Sequence, residues 1–384
     1  MCRWLAYYGD PIPIEALVLQ RQHSLIDQSL HSRDAGADPT NGDGFGIGWY
    51  PELGGMPGMY KSIQPAWNDR NLRELAKYIS SPLFFAHIRA STGTAVQETN
   101  SHPFRHGRWL AYYGKPIRMD KVLYGPQHSL IDQSLHSRLG AETTNGDGFG
   151  IGWYTPSGEP GYYKSIEPAW NDRNLREIAS HVESHLFLAH IRASSGTPVQ
   201  QTNCHPFRYG KWLWVHNGLV GDWFKVKRDL VLGIDPVLYP LVEGSADSEV
   251  LFFLALTLGL EDDAVGAVER MVGLVEEVGR RHGLSHPFQG TIATTNGERL
   301  WGFRYSSEGR SRSLYFSTRY ETLAALYPDD PRLGDFDEET RLVVSEPLGD
   351  LPGVWNQVPE ASWGVVQPGD DEIGTFRPAA AVTG

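Results

Sequence analysis

The sequence predicts an α+β layered sandwich, and three observations carry that expectation. Apolar, β-prone runs alternate with helical blocks, without the regular strand, helix, strand spacing that a parallel sheet requires. The 384-residue chain is 40% hydrophobic and 11% aromatic, enough to fill more than one packed core. The first part of the chain is also written twice, so whatever sheet the first copy makes, the second should make again.

The repeat is nearly collinear, with a period too long for a solenoid unit. Residues 3–9 (RWLAYYG) recur as 108–114, residues 22–33 recur unchanged as 127–138, and NGDGFGIGWY stands at 41–50 and 145–154. PAWNDRNLRE begins at Pro65 and Pro168, AHIRAS at Ala86 and Ala189, and HPFR at His102 and His205.

Each copy then reads in the same order. RWLAYYG is an apolar strand, HSLIDQSLHSR a helical stretch, and GFGIGWY a Gly-rich hairpin arm with a turn at the Pro and Gly residues that follow. A short helix starts after Asn68-Asp69 or Asn171-Asp172, whose side chains can accept from the unpaired N–H groups of its first turn. FFAHIRAS or FLAHIRAS then reads as a buried strand. Past the second copy, features occur once. A strand at 211–215 ends in His216-Asn217-Gly218, and a helix entered at 245–249 opens an apolar run through Leu258. An amphipathic helix at 264–281 follows, then a hairpin at Asn296-Gly297 with an expected type I′ turn. Strands are expected near 314–317 and 342–345, with one more apolar run at 363–366 and a small-residue tail from 371 to 384 expected to be disordered.

Charge narrows the partners. A net charge of -12 and a pI near 5.6, with no long Lys/Arg block, give no electrostatic reason to bind nucleic acid or an anionic membrane. The partner expected is a small molecule. Two cysteines, Cys2 and Cys204, cannot frame a disulfide scaffold, and there is neither a secretory segment at the start nor an apolar stretch long enough to span a bilayer. A cytoplasmic protein is the expectation.

Cys2 is the residue with the most chemistry to offer. Removal of Met1 would leave a thiol and a free α-amine on one residue, and an α-amine titrates near ~7.7–8.0, close enough to working pH to deprotonate the thiol. Taken alone, a cysteine after Met1 is more often a small hydrophobe.

The ordered set Cys-Arg-x-Leu-Ala-Tyr, NGDGFGIGWY, AHIRA, TNCHPF, HNG and SADSE resembles the class II glutamine amidotransferases. It is most similar to their stand-alone branch, related to ergothioneine-pathway and glutathione-degrading γ-glutamyl amidohydrolases. That resemblance implies an N-terminal nucleophile hydrolase with a four-layer αββα sandwich, needing no cofactor and no metal. It implies Cys2 as nucleophile, Asn217 and the Gly218 backbone N–H as oxyanion hole, Arg192 or Arg89 as clamp for a substrate α-carboxylate, and Asp247 as acceptor for its α-ammonium. Those groups together describe glutamine or another γ-glutamyl amide. Transfer of the ammonia would need a separate ammonia-accepting synthase.

Each residue has a plainer reading. An arginine after a strand is commonly at the surface, Asn-Gly is commonly a turn, and Asp at a helix start is commonly a cap. Their order and shared target are what raise them. Asp43 and Asp147 read as turn residues, because the Gly-rich motif lacks the Lys-Ser/Thr of a phosphate loop. His87, His102, His190, His205 and His216 lack metal-site spacing and read as core or backbone-bonding histidines. Cys204 is Ser101 in the other copy and reads as packing.

The repeat breaks the family pattern. Residues 1–107, the first copy, hold Cys2 and Arg89 but have Gly114 where Asn217 would stand. Residues 108–370, the second copy and the C-terminal half, hold Arg192, Asn217, Gly218 and Asp247 but follow Gly107 instead of a free cysteine. A composite site is the economical expectation, with RWLAYYG taking the slot of KWLWVHNG and the first strand delivering Cys2 to the second copy. The alternative is an inactive γ-glutamyl-binding protein, if the repeat parts Cys2 from the oxyanion hole.

Overall fold

The computed structural model describes residues 3–30, 42–50, 58–62, 64–88, 107–135, 146–193 and 197–380. They fall into two compact units, parted after residue 106. Both are mixed α and β, built on antiparallel sheets.

In the first unit the chain runs β1 (Arg3–Pro13), α1 (Glu15–Val18), α2 (Leu25–Leu30), β2 (Phe45–Tyr50), β3 (Gly58–Ser62), α3 (Arg70–Tyr78) and β4 (Ser80–Ile88). The sheet order is β1-β4-β2-β3. The start of α3 follows from sequence, since Asp69 accepts from Leu72 N at 2.8 Å and so satisfies a first-turn donor. One sheet face and the helices close over Ile14, Phe45, Ile47, Leu72, Phe84, Ala86 and Ile88.

The second unit opens with the same sequence of elements: β5 (Arg108–Arg118), α4 (Asp120–Leu123), α5 (Leu130–Leu135), β6 (Phe149–Tyr154), β7 (Pro160–Ser165), α6 (Arg173–His181) and β8 (Glu183–Ile191). Pairing repeats to the residue. Arg3 opposes Ile88 in β1 and β4, and Arg108 opposes Ile191 in β5 and β8. The core repeats too, with Met119, Phe149, Ile151, Leu175, Phe187, Ala189 and Ile191 in the equivalent places.

The rest occurs once: β9 (Phe207–Tyr209), β10 (Trp212–Val220), α7 (Trp223–Val231), α8 (Asp247–Thr257), α9 (Ala264–Arg281), β11 (Phe288–Thr295), β12 (Leu300–Ser306), β13 (Tyr315–Ser317), α10 (Tyr320–Leu326), β14 (Arg341–Val344), β15 (Trp355–Gln357), β16 (Ser362–Val366) and β17 (Glu372–Thr375). These strands extend the second unit's sheet to the order β15-β13-β14-β5-β8-β6-β7 and make another sheet in the order β17-β16-β12-β11-β10-β9. Residues of both sheets, among them Trp109, Leu188, Leu213, Val215, Ala293 and Val343, form one apolar cluster. Helices α7, α8 and α9 bury Trp214, Phe252, Val268 and Val275 against the other face of the six-stranded sheet.

Four expectations change. RWLAYYG at 108–114 does not take for the first copy the slot that KWLWVHNG at 211–218 fills after the second: it is β5, fixed between β8 and β14. That slot is therefore filled, and β1 pairs with β4 in the first unit's own sheet rather than entering the second unit's. The strand expected to end at Val215 continues through His216, Asn217 and Gly218 to Val220, because β11 supplies partners along its whole length. The segment at 371–380 is ordered by packing: β17 pairs with β16, and Phe376 is buried against Phe303 and Tyr305. Finally, Gly297 has φ +91° but Asn296 is not at positive φ, so the turn is not type I′. Asn296 Oδ1 instead accepts from Glu298 N and Arg299 N, each at 3.0 Å, which shapes a longer connection.

Candidate active site

Four of the six residues singled out by sequence, Arg192, Asn217, Gly218 and Asp247, belong to the second unit, while Cys2 and Arg89 lie outside the described residues. Period-two alternation along β10 sorts its side chains. Leu213 and Val215 enter the cluster shared by the two sheets, so Asn217 projects on that face. His216 projects on the opposite face and meets Ser248 Oγ of α8 through Nδ1 at 2.8 Å.

Asn217 is 6% exposed. Gly218 allows a close backbone approach that no other residue permits, since a Cβ there would lie 2.1 Å from Gln289 O and 2.5 Å from the His216 ring.

Arg192 follows β8. Its Nη1 donates to Asp147 O at 3.3 Å and its Nη2 to Pro198 O at 3.1 Å, and burial pulls the guanidinium below its ordinary value, offset by Cys204, Asp147 and Asp247. Pro198 O also accepts from Asn203 Nδ2 at 3.0 Å. Asn203 Oδ1 in turn accepts from Ser245 N at 2.8 Å and Ala246 N at 3.2 Å, and Glu249 takes Glu243 N and Gly244 N, which fixes the loop that enters α8. Asp247 closes the circuit. Its Oδ2 accepts from Val220 N at 2.9 Å and its Oδ1 from Ser248 N at 2.8 Å, tying α8 back to β10. An ionised carboxylate has about four lone-pair sites. Ser248 Oγ also donates to Oδ1 at 3.2 Å, and three bonds leave room for one ligand donor.

The head of β5 reaches this circuit through Trp109, whose Nε1 donates to Thr291 Oγ1 at 3.0 Å, and Thr291 is the residue opposite Asn217 in β11. Gly107, which stands where the first copy has Cys2, lies beside it. A Cβ on Gly107 would sit 2.8 Å from Ile191 O and 3.1 Å from His190 Nε2. Arg108 is anchored by a buried ion pair with Glu346.

Sequence reading missed Asn203, Glu249 and Ser248. Two of its own motifs, TNCHPF and SADSE, contain them, so the signal was present in residues to which no role had been given. The plainer readings of His190, His205, His216 and Cys204 agree with their surroundings, while His102 lies outside the described residues. His190, His205 and His216 are buried and their rings are held below the ordinary histidine range by desolvation first, His190 down to about 3. Cys204 is buried, with its thiol directed at Ser165 O and Gln200 O. Among the described residues no group of three His, Cys, Asp or Glu side chains could hold a metal ion, and no helix is long and apolar enough to cross a membrane.

The model of the family "Glutamine amidotransferases class-II" matches residues 21–113 and again 127–379. The chain belongs to the class II glutamine amidotransferases, an enzyme family. Among its relatives, this amidotransferase is 32% identical over 286 residues to a probable glutamine amidotransferase, DUG3, of Saccharomyces cerevisiae, an alignment spanning 66% of this chain and 80% of the yeast protein. It is 29% identical over 258 residues to the gamma-glutamyl-hercynylcysteine sulfoxide hydrolase of Mycolicibacterium smegmatis, covering 67% of this chain and 92% of that one. A solved glutamine aminotransferase class-II domain protein from Silicibacter pomeroyi superposes with a TM-score of 0.54 at 32% identity. That match takes in 99% of the solved chain but 71% of this one.

Proposed function

We propose that this amidotransferase hydrolyses the γ-amide of glutamine or of a γ-glutamyl compound through a thioester on Cys2, in a duplicated chain whose second unit is the four-layer αββα sandwich. With Met1 removed, the α-amine of Cys2 takes the thiol proton and the thiolate attacks the γ-carbonyl carbon. The Asn217 amide and the Gly218 N–H hold the oxyanion, and the departing amine leaves with the proton the α-amine had taken. Water then cleaves the thioester, releasing glutamate and the thiol. Arg192 grips the α-carboxylate by its planar fork and Asp247 accepts from the α-ammonium, with Arg89 the first copy's counterpart of Arg192. Any ammonia transfer passes to a separate synthase.

The observation that carries this reading is the hydrogen-bonded circuit joining Arg192, Asp247 and β10, the strand that bears Asn217 and Gly218. One observation favours a second reading. Gly107 heads β5 where the first copy has cysteine, so the second unit by itself would bind a γ-glutamyl group without cleaving it.

Asn217→Ala separates the two. The hydrolase reading expects turnover of glutamine and of a γ-glutamyl anilide to fall by roughly 10²–10³, about 2.7–4 kcal/mol, with glutamate affinity little changed. If the wild-type chain binds glutamate, releases no product from either substrate and binds no differently as Asn217→Ala, the binding reading stands instead.

A further inference from the structure

Strand β1 is an edge where its repeat is not. The first unit's sheet runs β1-β4-β2-β3, so β1 and β3 are its outer strands, whereas in the second unit β7 is outermost and β5 is interior, with β14 beside it. β3 therefore ends its sheet as its counterpart β7 does. β1 is the strand that lacks a neighbour among the described residues.

The exposure of its side chains says what kind of neighbour is missing. Leu110, Ala111, Tyr112 and Tyr113 of β5 are all buried. In β1, Leu5 and Tyr7 on the helix side are half-buried, and Ala6 and Tyr8 on the other side are exposed. Loss of a covering layer would bare one face only, so greater exposure on both faces points to a strand alongside. The backbone agrees. Trp109 N donates to Ser345 Oγ at 2.9 Å and Trp109 O accepts from Ser345 N at 3.0 Å, so Trp109 turns its polar groups toward the β14 side, and alternation turns Ala111 and Tyr113 the same way. Ala6 stands opposite Phe85 as Ala111 stands opposite Leu188. The N–H and C=O groups of Ala6 and Tyr8 consequently face the open edge, a row that templates another strand.

β14 is taken by β5 within the chain, and a second copy of the chain brings a strand that fits, β1 itself. Antiparallel pairing about a two-fold axis at Ala6 sets Ala6 opposite Ala6, exchanging both backbone bonds, and sets Leu5 opposite Tyr7. Aliphatic and aromatic side chains paired in this way stabilise a ladder, and residues 5–9 carry neither the charge nor the proline with which edge strands resist pairing.

We propose that β1 is a dimerisation edge, at which two chains join their first units through antiparallel β1 strands with Ala6 on the two-fold axis. Each chain brings one such edge, so the assembly closes at two. The proposal does not depend on the hydrolase reading.

Size-exclusion chromatography with light scattering tests it on the full chain, which should run at twice its 42.8 kDa mass and dissociate on dilution. Ala6→Lys sets two ammonium groups face to face on the axis and should leave a monomer, as should Ala6→Asp with two carboxylates. Mixed in equal amounts the two variants should dimerise again, because each lysine then meets an aspartate. Ala6 is exposed and its N–H points away from β4, so both variants should fold, which unchanged thermal melts would check. Tyr8→Lys supplies the edge charge in place of either variant that does not fold. Amide exchange at Ala6 and Tyr8 should be slow in the wild-type dimer and fast in the monomeric variants. A wild-type chain still monomeric at about 100 μM, or a dimer untouched by every edge charge, would overturn the proposal. So would two variants that stay monomeric when mixed, the result expected if β14 of a second copy, and not β1, lay along the edge.

Discussion

The same seven residues, RWLAYYG, make β1 and β5, and they end in different surroundings. Tyr113 is 8% exposed in β5, whereas its counterpart Tyr8 is 74% exposed in β1. One strand over, Leu188 is fully buried and its counterpart Phe85 is 41% exposed. The face toward the helices is unchanged, with Phe84 and Phe187 both sealed. What differs is the other face and the outer edge. In the second unit β14 pairs along β5 and the six-stranded sheet contributes to a shared apolar cluster, while β1 is an edge strand of a four-stranded sheet. Local sequence thus sets strand, register and helix-side packing, and the C-terminal half determines which copy becomes a complete core.

Leu188→Ala and Phe85→Ala would break this comparison most sharply. Leu188→Ala should cost about 2–5 kcal/mol by denaturant unfolding, and Phe85→Ala less than about 1 kcal/mol despite the larger residue. Equal costs would mean that Phe85 is packed as fully as Leu188.

A pH series sharpens it next. His190, His205 and His216 are held below the ordinary histidine range in the folded second unit, so on acidification the unfolded chain takes up protons first. Their stabilising contribution is full above about pH 6.5 and is lost as pH falls toward the folded values. His190, held down to about 3, should contribute a slope of about 1.4 kcal/mol per pH unit below about pH 6. His190→Asn should remove one such share, and an unchanged slope would mean His190 titrates normally.

The smallest effect should also be the most symmetrical. Asp69→Ala and Asp172→Ala each remove a cap that accepts from a leucine N–H at 2.8 Å, and each should cost about 1 kcal/mol. A large difference between them would show that the local geometry of the two copies diverges more than their pairing does.

Much of the fold was legible because its signals are local. Asp69 and Asp172 announce their helices, period-two runs announce β4 and β8, and the amphipathic stretch at 264–281 is α9 residue for residue. The strand that joins β8 was not legible, since RWLAYYG and KWLWVHNG carry similar apolar patterns and only β14 distinguishes the slots. The ordered end near Phe376 was hidden for the same reason, as its burial depends on Phe303 and Tyr305. At the site, motif order pointed to Arg192, Asn217, Gly218 and Asp247. The network through Asn203 needed three dimensions, because its meaning lies in which partners it has.

The central claim is that Cys2 is the nucleophile for a γ-glutamyl site built around Asn217. Intact mass and peptide mapping after incubation with a glutamine-directed electrophile test it most directly. The account predicts a chain lacking Met1 that carries one adduct, on Cys2, suppressed by glutamate and absent from Cys2→Ala. A chain that retains Met1 and stays unmodified, or an adduct on Cys204 with Cys2 untouched, would contradict it.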